Sequence, residues 1–270
     1  MEKLQAALEK ARNRREAEEH AAAPRAAANA RPTAGRVKQL WHNLPEIALS
    51  GKALHDHHVV AQKASQKATP FDILRTKVLL QMRQNHWNSM AITSPMPRSG
   101  KTTMACNLAL GLGRQSGLRT ILFDLDLKDP SIGDFLDHRP EHCITEMLSG
   151  DVSFADQAVR IGDNVAVCMA RHREEDPTRI LLSGQTAETL AAIKATYEPD
   201  VMIFDTPSIL IGDNTRAFLR NVDCALIVAR ANNTRYGHFD ACEREIAEYT
   251  NVLGVVLNAF RTKEVDSYIE

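Results

Sequence analysis

The sequence predicts an α/β fold, a mainly parallel sheet with helices on both faces. Two observations point to it. Short apolar runs of strand length recur along the chain: Met90–Thr93, Thr120–Phe123, Val165–Val167, Val201–Phe204, Ala225–Val228 and Leu253–Leu257. Longer stretches of helical character separate most of them, over 101–116, 178–197, 213–221 and 238–249. Each run is apolar at consecutive positions, as a strand must be when helices cover both of its faces. A third observation concerns function: polar residues of phosphate and metal chemistry close three of the runs, and ligands of open α/β sheets bind at that edge.

The chain has 270 residues, 44% apolar and 25% charged, enough for one such core with sequence to spare. A net charge of −1 gives no whole-chain reason to expect a nucleic-acid partner. No apolar run approaches the ~18–20 residues that span a bilayer. The start stays charged from Glu2 to Glu19, without the apolar core of a signal peptide. The five cysteines (Cys106, Cys143, Cys168, Cys224 and Cys242) are scattered and form no CxxC. A reducing cytoplasm is the expected compartment.

Composition divides the chain into four parts. Residues 1–38 form a charged Ala/Arg/Glu-rich arm, partly helical over 2–22, with Pro24 and Pro32 interrupting any helix. A solvated arm is one reading of its basic excess; contact with a partner or an anionic membrane surface is the other. Residues 39–69 show no sustained period and read as a linker. From Pro70 the spacing of Phe71, Ile73, Leu74, Val78, Leu79 and Met82 predicts an amphipathic helix, opening a domain over 70–262. Residues 263–270 are a tail.

The first chemical motif follows the run that ends at Thr93: Ser94-Pro95-Met96-Pro97-Arg98-Ser99-Gly100-Lys101-Thr102-Thr103, with a helix after it. A loop between strand and helix aims backbone N–H groups and the positive end of the helix dipole at one spot. Gly100 lets the backbone approach phosphate, Lys101 reaches the β- and γ-phosphates, and the Thr102 hydroxyl can ligate Mg²⁺. Pro97, Arg98, Ser99 and Thr103 complete this P-loop, although Pro95 stands where GxxxxGK[ST] has its first glycine. Two readings are open for Arg98, a phosphate contact or a side chain in solvent. The second motif is Asp124-Leu125-Asp126-Leu127-Lys128-Asp129-Pro130. If the strand continues, alternation places Asp124 and Asp126 on one side, where paired acids can bind Mg²⁺ or accept a hydroxyl proton. A helix cap or turn acid is the plainer reading of Asp126. The third is Phe204-Asp205-Thr206-Pro207, an acid closing an apolar strand as in a Walker B element; a turn residue is the alternative.

In this order the motifs resemble the bacterial tyrosine kinases of polysaccharide export, within the P-loop ATPases. The resemblance extends over roughly 70–261 and includes Leu74-Arg75-Thr76 and Gly254-Val255-Val256-Leu257-Asn258. It implies an ATP- and Mg²⁺-dependent protein-tyrosine kinase that autophosphorylates and regulates exopolysaccharide synthesis. Lys101 would hold the phosphates and Thr102 with Asp205 the Mg²⁺. Asp124 and Asp126 would be base and metal helpers, with Lys101 and these acids the catalytic set, and Asn258 would meet adenine. It also implies a membrane polysaccharide copolymerase as activator, peripheral attachment at the inner membrane through it, and homo-oligomers. Three departures stand out. Arg98-Ser99 fills the usual Gly-x. Thr69, Asp72 and Arg75 stand at the family's Glu-x-x-Arg-x-x-Arg positions. Tyr268 alone follows the last strand. The second bears on the family's oligomerisation helix; the first and third favour a rival reading, a non-catalytic ATP-dependent regulatory module of the copolymerase. A partition-type ATPase is the remaining alternative, but its signature lysine position is Met96 here.

Overall fold

The structure, a computed structural model, describes residues 34–260. The chain divides into the units Met1–Arg36 and Val37–Glu270, and the fold belongs to the second. Seven strands form one sheet: β1 (Ser89–Thr93), β2 (Thr120–Asp124), β3 (Val159–Ile161), β4 (Val165–Cys168), β5 (Val201–Asp205), β6 (Cys224–Arg230) and β7 (Asn251–Asn258), in the order β3-β4-β2-β5-β1-β6-β7. Every pairing is parallel except β3 with β4, so the sheet has an antiparallel edge. Three-residue β3 is too short for its apolar pattern to announce it.

The helices are α1 (Ala34–His42), α2 (Gly51–Asp56), α3 (Thr69–Gln84), α4 (Lys101–Gly113), α5 (Ile132–Leu136), α6 (Ile144–Leu148), α7 (Phe154–Gln157), α8 (Pro177–Leu181), α9 (Gly184–Tyr197), α10 (Asn214–Leu219) and α11 (Tyr236–Ala247). The helix expected over 178–197 is two, α8 and α9. Ser183 interrupts it by accepting the Thr186 N–H as the cap of α9.

Alternation along each strand feeds two separate cores. Ile121, Phe123, Met202 and Phe204 point to one, where the Phe123 and Phe204 rings stack at 4.7 Å. Leu122, Val201, Ile203, Met90 and Ile92 point to the other, against Leu108 and Leu112 of α4. Helices thus cover the sheet on both faces, as the apolar runs require.

Residues 39–69 are not a linker. Trp41 and Leu44 lie in the first core, and the Trp41 indole N–H donates to the Tyr197 carbonyl at 2.8 Å. Leu54 and Val59 lie in the second. Asn107, fully buried on α4, accepts the N–H groups of Val60 and Ala61 at 2.8 and 3.0 Å and donates to His58 O. The apolar residues of the segment fall at irregular spacings, some entering the first core and some the second. That is why no period marks it. Of the expected arm, Val37 is buried in the first core and residues 1–33 lie outside the described residues, as does the tail.

Candidate active site

The strand order sets β1 beside β5, and β5 beside β2. In register, Ile92 faces Asp205, and Asp205 faces Asp124. Three motifs far apart in sequence therefore meet at the C-terminal ends of three adjacent strands.

The P-loop is held by its own hydroxyls and by three neighbouring elements. Ser94 and Ser99 both donate to the Met96 carbonyl, at 2.8 Å each. Ser94 pairs with Ser208 at 3.0 Å, Thr93 donates to Pro207 O at 2.7 Å, and Ile209 N donates to Ser94 O, which ties the loop to the segment after β5. From β6, Arg230 Nη1 donates to Arg98 O at 2.7 Å; from β7, Asn258 Nδ2 donates to Ser99 O at 2.8 Å. Gly100 adopts φ +90°, and a Cβ there would lie 2.1 Å from Asn258 Nδ2, so only glycine fits. Arg98 also has a positive φ, +60°, which costs a non-glycine residue on the order of 1 kcal/mol. Its side chain is exposed, as is Pro97, while Thr103 donates to His57 O at 3.5 Å. No side chain caps α4, so its first N–H groups are left for an anion. Lys101 is buried and donates to Ser208 at 3.3 Å.

The carboxylates are held differently. Asp205 is fully buried, and neither of its oxygens has a hydrogen bond of normal geometry. Burial pushes its carboxyl up to about 7, against the pull of the Lys101 ammonium and the Thr102 hydroxyl. Asp124 is also fully buried. Its Oδ2 accepts the N–H groups of Ser131 and Ile132 at the start of α5, while Oδ1 has no partner. Burial first, then the Asp205 charge, holds this carboxyl well above the usual carboxylate range. β2 stops at Asp124, so Asp126 sits in the following turn and strand alternation does not align the two. It is half-buried; burial raises its carboxyl, and Lys101 is the chief opposing influence. Lys101 thus influences both Asp126 and Asp205.

The oxygen donors fit a hard cation. Three orphaned carboxylate oxygens on Asp124 and Asp205, with the Thr102 hydroxyl, match the few protein ligands Mg²⁺ takes when phosphates supply the rest. Among the described residues no three His, Cys, Asp or Glu side chains cluster into an all-protein metal site.

Sequence reasoning places Ser94 in the loop without giving it a role, and misses Ser208 and Arg230. Arg230 carries a signal, since it is the first polar residue after an apolar strand, the same position that singles out Asp205. The resemblance places Asn258 at adenine. Here its amide is committed to the P-loop backbone, and its Oδ1 accepts the Ala259 N–H.

No family model matches the sequence. The chain is 24% identical over 200 residues to the tyrosine-protein kinase CpsD of Streptococcus agalactiae serotype III, covering 73% of this chain and 84% of CpsD. It is 26% identical over 192 residues to EpsB of Ralstonia nicotianae; that match takes in 69% of this chain but spans only 25% of EpsB. Among solved structures, the kinase domain of the Escherichia coli tyrosine kinase ETK superposes with a TM-score of 0.62 at 25% identity, covering 68% of this chain and 72% of that one. The chain is therefore similar to bacterial tyrosine kinases in both sequence and fold.

Proposed function

We propose that the chain is an ATP- and Mg²⁺-dependent protein-tyrosine kinase of exopolysaccharide synthesis. The observation that carries this reading is one sheet edge joining an uncapped, lysine-bearing P-loop to two buried, unsatisfied carboxylates and a third at the solvent side. Lys101 and the first N–H groups of α4 bind the β- and γ-phosphates. Thr102, Asp205 and Oδ1 of Asp124 hold Mg²⁺, which when bound neutralises charge on the phosphates. Asp124 is too enclosed, and too engaged at α5, to receive an incoming phenol. Asp126 is half-buried with a raised carboxyl, so it is the group placed to take the tyrosine proton. Ser94, Ser99, Arg230 and Asn258 keep the loop in shape.

No helix among the described residues is long and apolar enough to cross a membrane. In this proposal a membrane copolymerase brings the domain to the inner membrane and activates it, and copies of the chain associate. Support for the partner is the likeness to CpsD and EpsB. Arg75 of α3, the one residue kept from the Glu-x-x-Arg-x-x-Arg pattern, is turned inward: it donates to Asp72 at 2.8 Å and Gly111 O at 3.1 Å, and Asp72 also pairs with Arg114 at 2.7 Å.

The test is phosphotyrosine formation in Asp126→Ala. The variant retains ATP binding, because Lys101, Thr102 and Asp205 remain, and loses ~10²–10⁴-fold in transfer rate. Unchanged transfer would remove Asp126 from the mechanism. The positive φ of Arg98, where glycine would be unstrained, favours a second reading, a regulator that binds ATP without transferring phosphate. It prevails if the wild type binds Mg-ATP yet forms no phosphotyrosine with its activator present.

A further inference from the structure

Of the chain's four tyrosines, the described residues include Tyr197, Tyr236 and Tyr249. Tyr197 is 7% exposed, packed against Phe154 at 4.4 Å, and it precedes β5. Tyr249 lies under the Arg220 guanidinium, 5.6 Å from its ring centroid, and precedes β7. Residues leading into parallel strands sit at the N-terminal edge of the sheet, opposite the P-loop. Tyr236 differs on both counts. It is 82% exposed, and it follows the C-terminal end of β6 on the same edge as Lys101, Asp124 and Asp205.

The loop that presents it is tied to the site. Arg230 ends β6 and grips the Arg98 carbonyl of the P-loop. The chain then folds back on Arg230: Asn233 N and Thr234 N donate to Arg230 O at 3.2 and 2.9 Å, and Arg230 N donates to the Thr234 hydroxyl at 2.9 Å. Tyr236 leaves this turn as the first residue of α11. The surroundings suit a phosphate. Arg235 precedes Tyr236, and the first turn of α11 holds no acid and no side-chain cap. Asp240, one turn on, is paired with Arg244.

We infer that Tyr236 is a phosphate acceptor of this chain's own kinase activity, an assignment that rests on the kinase reading above. In the step, the Tyr236 Oη–P bond forms with the γ-phosphorus of ATP. The bond from that phosphorus to the β–γ bridging oxygen breaks, and ADP leaves with the electron pair. The phenol proton passes to the Asp126 carboxylate and then to water.

The test incubates the purified full chain with Mg-ATP, maps phosphate by mass spectrometry, and runs a Glu/Tyr copolymer in parallel as an external acceptor. Phosphate is expected on Tyr236 in the wild type and nowhere in Lys101→Ala. Tyr236→Phe should lose most of the phosphate incorporated into the chain yet phosphorylate the copolymer at the wild-type rate, whereas Tyr268→Phe should keep the Tyr236 signal. Phosphate on Tyr249 or Tyr268 with Tyr236 unmodified overturns the assignment. Copolymer phosphorylation without any on Tyr236 overturns it too, and leaves the kinase reading standing. Phosphate on neither the chain nor the copolymer overturns both.

Discussion

The two halves of the site meet the same sheet edge under opposite conditions. In the P-loop half the carbonyls of Met96, Arg98 and Ser99 all accept hydrogen bonds from side chains of the site. In the carboxylate half, Asp205 has two bare oxygens and Asp124 one, all in fully buried side chains. Buried polar groups without partners cost free energy. The loop is therefore shaped before ligand arrives, whereas the carboxylates hold a cost that a cation relieves. One half supplies preorganisation, the other a demand for metal.

The sharpest way to break this contrast is Lys101→Ala. It removes the cation that both halves share, and ATP affinity should fall by at least ~100-fold, as charge-assisted contacts to phosphate are worth ~1.5–3 kcal/mol each. Circular dichroism should remain native. Unchanged affinity in a titration would mean that the loop does not bind triphosphate through this residue.

Asp205→Asn tests the other half. A carboxyl whose folded pKa is near 7, above the ordinary ~3.9, favours the fold while protonated. That stability is complete below the unfolded value and disappears as pH rises through about 7. Removing the charge should therefore raise the Tm of the ligand-free protein at pH 8 by several degrees, by less at pH 5 and hardly at all below about pH 4. Mg²⁺-dependent ATP binding should weaken by roughly tenfold or more, while metal-free binding holds. In the wild type, Mg²⁺-dependent binding should strengthen as pH rises through about 7, because the cation needs the ionised carboxylate. A lower Tm for the variant at pH 8 would show that Asp205 is satisfied in some other way.

Asn258→Ala should have the smallest effect. It deletes one hydrogen bond to the P-loop, worth about 1 kcal/mol, so ATP affinity should drop by ~5-fold with or without Mg²⁺. A loss confined to adenine nucleotides, absent with GTP, would instead place Asn258 at the base.

Much of the site is legible in the amino-acid sequence. Gly100-Lys101-Thr102 declares itself because a P-loop is a local object, made by consecutive residues between a strand and a helix. Asp205 declares itself because an acid ending an apolar run has few other uses. Asp126 stands out as a candidate too, but strand alternation is the wrong reason for it, since β2 ends at Asp124. The segment 39–69 reads wrongly as a linker because its anchors, Trp41, Leu54 and Asn107's partners Val60 and Ala61, pack individually on distant elements and leave no periodic trace.

The sequence by itself determined the α/β alternation, the phosphate loop and the three acids, since each depends on neighbours a few residues away. Tertiary structure alone decided that Asp124 and Asp205 face each other across β2 and β5, with one bare oxygen on the first and two on the second. It also decided that Arg230 and Asn258 brace the loop, and that Tyr236 shares the site's edge while Tyr197 and Tyr249 do not. Those facts follow from strand order, which is set by how both faces of the sheet bury their side chains together, and no local stretch of sequence contains that sum.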